Sequence, residues 1–191
     1  GAAGGGCGGR PGVTVQPLGM PLEMLPVADK AEGRTLLLFV HGLCMSELGW
    51  RGPHYEKFVA DFDGAIGHVR YNTGRHISTN GHELAERLES YCQDQNVERL
   101  VLVGHSMGGL VSRSALASAA ERGLTWPKKL SHLACVGSPH HGAPLERAGN
   151  MANSILTLSP YSAALAGLGN LRSAGIQDLR HGNVLDSDWQ N

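Results

Sequence analysis

Apolar residues along this chain fall into two kinds of pattern that take turns. Short continuous runs occur at Leu36-Leu37-Leu38-Phe39-Val40 and Leu100-Val101-Leu102-Val103, with a third, more mixed run over Leu130–Val136. Unbroken apolar runs of this length predict strands of a parallel sheet covered on both faces. Ala65–Tyr71 predicts a further, weaker strand. Between these runs the spacing becomes helical. Tyr55, Phe58, Val59 and Phe62 stand at i, i+3, i+4 and i+7, and Leu84, Leu88, Tyr91 and Cys92 share one helix face. Asn80 with Glu83 three residues later resembles a capping box at the start of that second helix. Met107 to about Arg122 is rich in Gly, Ala and Ser, which predicts a helix lying close against a sheet. The alternation predicts an α/β fold: a mostly parallel central sheet with helices on both faces.

The pattern is weakest at the ends. Gly12–Gly19 holds a short extended pattern, and Pro17, Pro21 and Pro26 then predict an irregular segment. Residues 1–20 are expected to be a flexible or partial N-terminal segment, and 21–191 the folded domain. Within it, 145–175 is a possible lid or cap insertion. Met151, Ile155, Leu158 and Ser162 fall near one helical face there, with Pro160 interrupting. Glu83, Glu86, Arg87 and Glu89 read as solvated surface, and Ile176–Trp189 reads as too polar and broken for further strands.

A chain of 191 residues is long enough for one domain with a proper core. With 41% hydrophobic and 17% charged residues it reads as globular rather than disordered. A net charge of −1 gives no basis for a nucleic-acid partner. No apolar run is long enough to span a membrane and no signal peptide is visible, so a cytoplasmic location is slightly favoured. Nothing in the chain bears on oligomeric state. Cys7, Cys44, Cys92 and Cys135 have neither disulfide nor metal spacing. Cys135 reads as a small core residue, and Cys44 as a candidate reactive thiol beside the loop after the first strong strand.

The chemistry sits where the third kind of signal, glycine, interrupts the strands. Leu100–Val103 leads into Gly104-His105-Ser106-Met107-Gly108, and a helix-compatible run follows. This is G-x-S-x-G in the strand–turn–helix context that makes it a nucleophile elbow. A serine at so sharp a turn presents its hydroxyl above the sheet edge. The Met107 amide then lies at a helix N-terminus, where an unpaired N–H can stabilise a developing oxyanion. The first apolar run ends in His41-Gly42-Leu43, the place from which such enzymes draw the second oxyanion donor, here the Leu43 amide. Trp50 is placed to shape an acyl pocket or to pack that loop down. His140 and His141 are adjacent at a strand end, but no Asp, Cys or His stands at ligand spacing, and a plain turn is favoured over a metal.

These residues resemble a known family. Phe-Val-His-Gly-Leu (39–43), Tyr-Asn-Thr-Gly (71–74), Val-Gly-His-Ser-Met-Gly-Gly-Leu-Val (103–111) and Gly-Ser-Pro-His-His-Gly-Ala-Pro (137–144) are similar to α/β-hydrolases of the lipase type. The similarity is to the bacterial lipase-like proteins grouped with GPI inositol-deacylases. It implies an α/β-hydrolase fold, a lipase or esterase acting on acyl-chain or lipid esters through an acyl-enzyme on Ser106, and no cofactor. It also implies a mobile cover between later strands. Acyl transfer or amide hydrolysis by the same nucleophile is an alternative, and a non-catalytic hydrolase-like binding module or an inactive fragment is another.

In this fold the order is Ser, then Asp or Glu, then His. After Leu130–Val136 the candidates are Glu146, Asp178 and His181, and none has a spacing that sets it above Ser106. The triad acid and histidine are therefore expected outside this chain, which reads as a hydrolase incomplete at its C-terminus, with its last strand left as an unpaired edge.

Overall fold

A computed structural model describes residues 22–28, 35–43, 45–142 and 173–189. Five strands form one sheet: β1 (Glu23–Ala28), β2 (Thr35–Val40), β3 (Ala65–Arg70), β4 (Arg99–His105) and β5 (Leu130–Val136), in the order β1-β3-β2-β4-β5. β2, β3, β4 and β5 run parallel, and β1 pairs antiparallel with β3 at the edge. The helices are α1 (Pro53–Asp61), α2 (Ile77–Asp94), α3 (Met107–Glu121) and α4 (Ala174–His181). The described architecture is the expected α/β-hydrolase type.

The run in β2 is buried on both faces because each face meets a different layer, whereas in β4 Leu100 and Leu102 are buried and Val101 and Val103 only half-buried. Leu36, Leu38, Val40, Leu100 and Leu102 point into a large core with Leu84, Leu88, Leu110 and Val111 from α2 and α3. Leu37, Phe39 and Ile66 point the other way, against Trp50, Tyr55, Val59 and Phe62. α1 therefore covers one face while α2 and α3 cover the other. The small residues of α3 serve two contacts. A Cβ on Gly104 would lie 2.5 Å from the Gly109 backbone, and a Cβ on Gly81 of α2 would lie 2.5 Å from Ser114 Cβ. The helix is pressed against both its own strand and its neighbour helix.

Four local expectations change. Pro26 lies within β1 instead of breaking the chain into an irregular segment. An edge strand tolerates a residue without an N–H, and the register with β3 shifts beside it. Asn80 does not cap α2, which begins at Ile77. It is buried inside the first turns, and its Nδ2 donates to the Asn72 carbonyl at 3.0 Å. Glu83 and Glu89 are structural. Glu83 accepts from the Leu22 amide at 3.1 Å and pairs with Arg75 at 2.7 Å. Glu89 accepts from the Thr125 and Trp126 amides at 2.8 and 2.9 Å, capping a 3-10 turn over Trp126–Lys129. Cys135 is only partly buried, because β5 pairs with β4 alone among the described residues. Cys44, residues 1–20 and nearly all of 145–175 lie outside the described residues.

Candidate active site

The parallel register brings two loops to one edge of the sheet. Phe39 pairs with Val103 and Val40 with Gly104, so the residues that follow, His41-Gly42 and His105-Ser106, leave the sheet side by side. The carboxyl ends of adjacent parallel strands are where α/β sheets place their ligands.

Ser106 sits between β4 and α3 with φ 52° and ψ −120°. It and Asn96 are the non-glycine residues with positive φ among those described. This conformation costs a β-carbon residue of order 1–3 kcal/mol and persists only where its surroundings impose it. The surroundings here are specific. The Ser106 amide donates to the Val136 carbonyl at 2.8 Å, so the end of β5 holds the turn. A Cβ on Gly108 would run into the carbonyls of Val40 and His41, and one on Gly42 would lie 3.1 Å from Ser106 Cβ. Gly108 is needed because the two loops interlock at backbone distance, and Gly42 sits tightly against the elbow.

Ser106 is 3% exposed, and its Oγ has no hydrogen-bond partner among the described residues. Met107 is the first residue of α3, so its N–H has no acceptor within the helix. Leu43 follows Gly42, whose backbone lies against Ser106. Ser106, Leu43 and Met107 are thus brought together. The described residues offer Ser106 no histidine partner.

Asp178 and His181 do not pair with Ser106 either. Asp178, 1% exposed, accepts from the Ile77 amide at 2.8 Å and from His76 Nδ1 at 3.0 Å, which makes it the cap of α2. The His76 ring stacks on Trp189 with centroids 3.8 Å apart, and Trp189 Nε1 donates to Ser78 Oγ at 3.0 Å. Sequence reasoning missed this cluster because its members stand about a hundred positions apart, with no local pattern linking them. It places α4 beside the site: a Cβ on Gly175 would lie 2.7 Å from Met107 Cε.

On the α1 side, aromatic rings flank the elbow. Trp50 meets His105 edge-on at 6.2 Å and Phe39 at 4.7 Å. Tyr55 Oη and His68 Nε2 lie 2.5 Å apart, and burial holds the His68 pKa below its ordinary value. Arg70 pairs with Glu47, and that hydrogen bond lowers the Glu47 pKa. His140 Nδ1 accepts from Arg113 at 2.9 Å, and no group of metal ligands forms among the described residues.

A family model for the PGAP1-like alpha/beta domain matches residues 30–191. The chain belongs to that family. No curated protein matches it in sequence. Several solved structures share the fold of this PGAP1-like domain. The mature form of a lipase from Bacillus licheniformis is 22% identical with a TM-score of 0.58, over 86% of this chain and 63% of the lipase. A lipase-esterase related protein from Clostridium acetobutylicum is 15% identical with a TM-score of 0.53, over 88% of this chain and 74% of that one. A type II thioesterase from the yersiniabactin NRPS/PKS pathway is 19% identical with a TM-score of 0.50, over 84% and 68%. The PGAP1-like chain spans less than two thirds of the Bacillus lipase. No helix among its described residues is long and apolar enough to cross a membrane.

Proposed function

We propose that the protein is a serine ester hydrolase in which Ser106 is the nucleophile and the Leu43 and Met107 amides form the oxyanion hole. The observation that carries this reading is the conformation of Ser106, φ 52° and ψ −120°, imposed at the strand–helix turn. A serine kept there for packing alone would gain nothing from the strain. The reaction is attack of Ser106 Oγ on the ester carbonyl, collapse of the tetrahedral oxyanion to an acyl-enzyme with loss of the alcohol, and hydrolysis by water. No cofactor takes part. Activation of Ser106 needs a histidine base oriented by an acid, and among the described residues its Oγ has no partner.

The substrate is an acyl-chain ester. Trp50 stands beside His105, and this aromatic ring next to the elbow suits a hydrocarbon chain. The resemblance to GPI inositol-deacylases makes an acylated inositol one ester to include beside simple p-nitrophenyl esters.

Covalent labelling tests the nucleophile. In a form of the protein extended to carry the triad histidine, a fluorophosphonate is expected to add to Ser106, identified by peptide mass spectrometry, and Ser106→Ala is expected to abolish labelling and to cut p-nitrophenyl ester turnover to a residual level. Turnover at the wild-type rate in Ser106→Ala sinks the reading. A chain without its histidine is expected to keep no more than the residual ~10³–10⁴-fold acceleration that oxyanion hole and binding supply.

A further inference from the structure

The loop that carries Leu43 is held through two consecutive carbonyls. The Tyr71 hydroxyl donates to the His41 carbonyl at 2.6 Å. His41 Nδ1 lies 2.9 Å from the Gly42 carbonyl, and because a carbonyl only accepts, Nδ1 carries the proton. The Gly42 carbonyl also accepts from the Met45 amide at 3.2 Å, which closes the turn. The His41 ring stacks on Tyr71 at 4.4 Å and 18° and is 1% exposed. Burial pushes its pKa down to about 4, so at neutral pH the ring is uncharged and holds a single proton. That proton is spent on its own neighbour's carbonyl, and Nε2 is left buried without a partner. An orphaned ring nitrogen costs about 1–3 kcal/mol, which a phenyl ring of similar shape would avoid. Packing against Tyr71 therefore does not account for a histidine here, whereas the bond to Gly42 does.

In a trans peptide the C=O and N–H point in opposite directions. Whatever fixes the Gly42 carbonyl also fixes the direction of the Leu43 N–H. The same peptide lies against the elbow, since a Cβ on Gly42 would come 3.1 Å from Ser106 Cβ and 3.1 Å from His105 Nδ1.

We propose that His41 is a positioning residue: its Nδ1–H holds the Gly42 carbonyl and thereby aims the Leu43 N–H at the space above Ser106. With Ser106 as nucleophile and Leu43 as donor, on which this assignment rests, His41 never touches the substrate. It acts through one peptide plane, and Tyr71 supports it by holding the ring and the preceding carbonyl.

In the same extended form, which carries the triad histidine, two variants separate the ring from the bond. His41→Phe keeps a ring on Tyr71 and removes the donor, while His41→Asn gives up the ring but offers a side-chain amide donor. Losing a whole oxyanion donor costs about 10²–10³ in kcat, so a misaimed one in His41→Phe is expected to cost about 10- to 100-fold. KM is expected to stay within about twofold, because the interaction belongs to the transition state. His41→Asn is expected to recover a large part of that loss. A kcat for folded His41→Phe within about twofold of wild type overturns the proposal, and so does an equal loss in both variants. Ser106→Ala runs in parallel: if its turnover equals wild type, the nucleophile assignment fails and not the role of His41. A second measurement decides His41 without turnover. Long-range ¹H–¹⁵N spectra of the wild-type imidazole at neutral pH are expected to show the Nδ1–H tautomer, and an Nε2–H tautomer overturns the proposal whether or not the variants fold.

Discussion

At the scale of single residues, the site is a matter of backbone distance. Gly108 faces the Val40 and His41 carbonyls so closely that no side chain fits. Gly108→Ala is expected to destabilise the protein by about 1–3 kcal/mol through overpacking, read as a lower midpoint in urea with an unchanged slope. Gly52 makes the contrast, since a Cβ there meets nothing within 4 Å, although its own φ of 167° is extended backbone. Gly52→Ala is expected to leave the midpoint nearly unmoved. His41 gives a pH dependence of definite sign. The unfolded ring takes a proton as pH falls through 6.5, while the folded ring resists until about 4. Its contribution is fully present above the unfolded value and is lost as pH falls from there to the folded one, in total about 3 kcal/mol. His68, also held low by burial, adds in the same direction. Urea midpoints measured across this window are expected to fall on acidification, and the slope is expected to flatten in His41→Phe.

At the scale of elements, helix starts and ends depend on partners brought from far along the chain. α2 has no side-chain cap from its own N-cap residue, His76. Asp178 of α4 supplies the acceptor for the Ile77 amide instead, from a site almost closed to water. Asp178→Ala removes a cap and leaves a buried N–H without its acceptor, which is expected to cost about 2–3 kcal/mol. Asp178→Asn keeps an oxygen for the Ile77 amide and is expected to lose less. His76, stacked on Trp189, is expected to quench it, so with Trp50 and Trp126 replaced by Phe, a rise in emission in Asp178→Ala would report release of α4 from α2.

At the scale of the whole molecule, the two faces of the sheet are unequal. α2 and α3 bury many side chains over one face, whereas α1 over the other buries none of its own completely. Local opening follows buried apolar contact. Amide hydrogen exchange is therefore expected to be slowest in β2, β4 and α3 and much faster in α1. Equal protection of α1 and α3 would contradict this picture.

Much of this was legible from the chain alone. The unbroken runs at Leu36–Val40 and Leu100–Val103 point to strands of a parallel sheet because such strands have helices over both faces, although the cover over Val101 and Val103 is partial. Gly104-His105-Ser106-Met107-Gly108 specifies the turn because it stands between an apolar strand and a helix; Gly104 is demanded by contacts within that turn, whereas Gly108 is demanded by the distant Val40 and His41 carbonyls. What only the tertiary structure decided depends on residues distant in sequence. β1 forms despite Pro26 because it is an edge strand, which no local pattern declares. Asn80 is drawn into the helix by the Asn72 carbonyl, and Asp178 takes over the capping that Asn80 was expected to provide. Glu89 reads as surface until Thr125 and Trp126 are folded against it. The role of His41 also needed three dimensions, since a His-Gly pair in sequence says nothing of the Tyr71 ring that buries it. Periodicity records which face of an element avoids water; it holds no record of which distant group answers a buried donor.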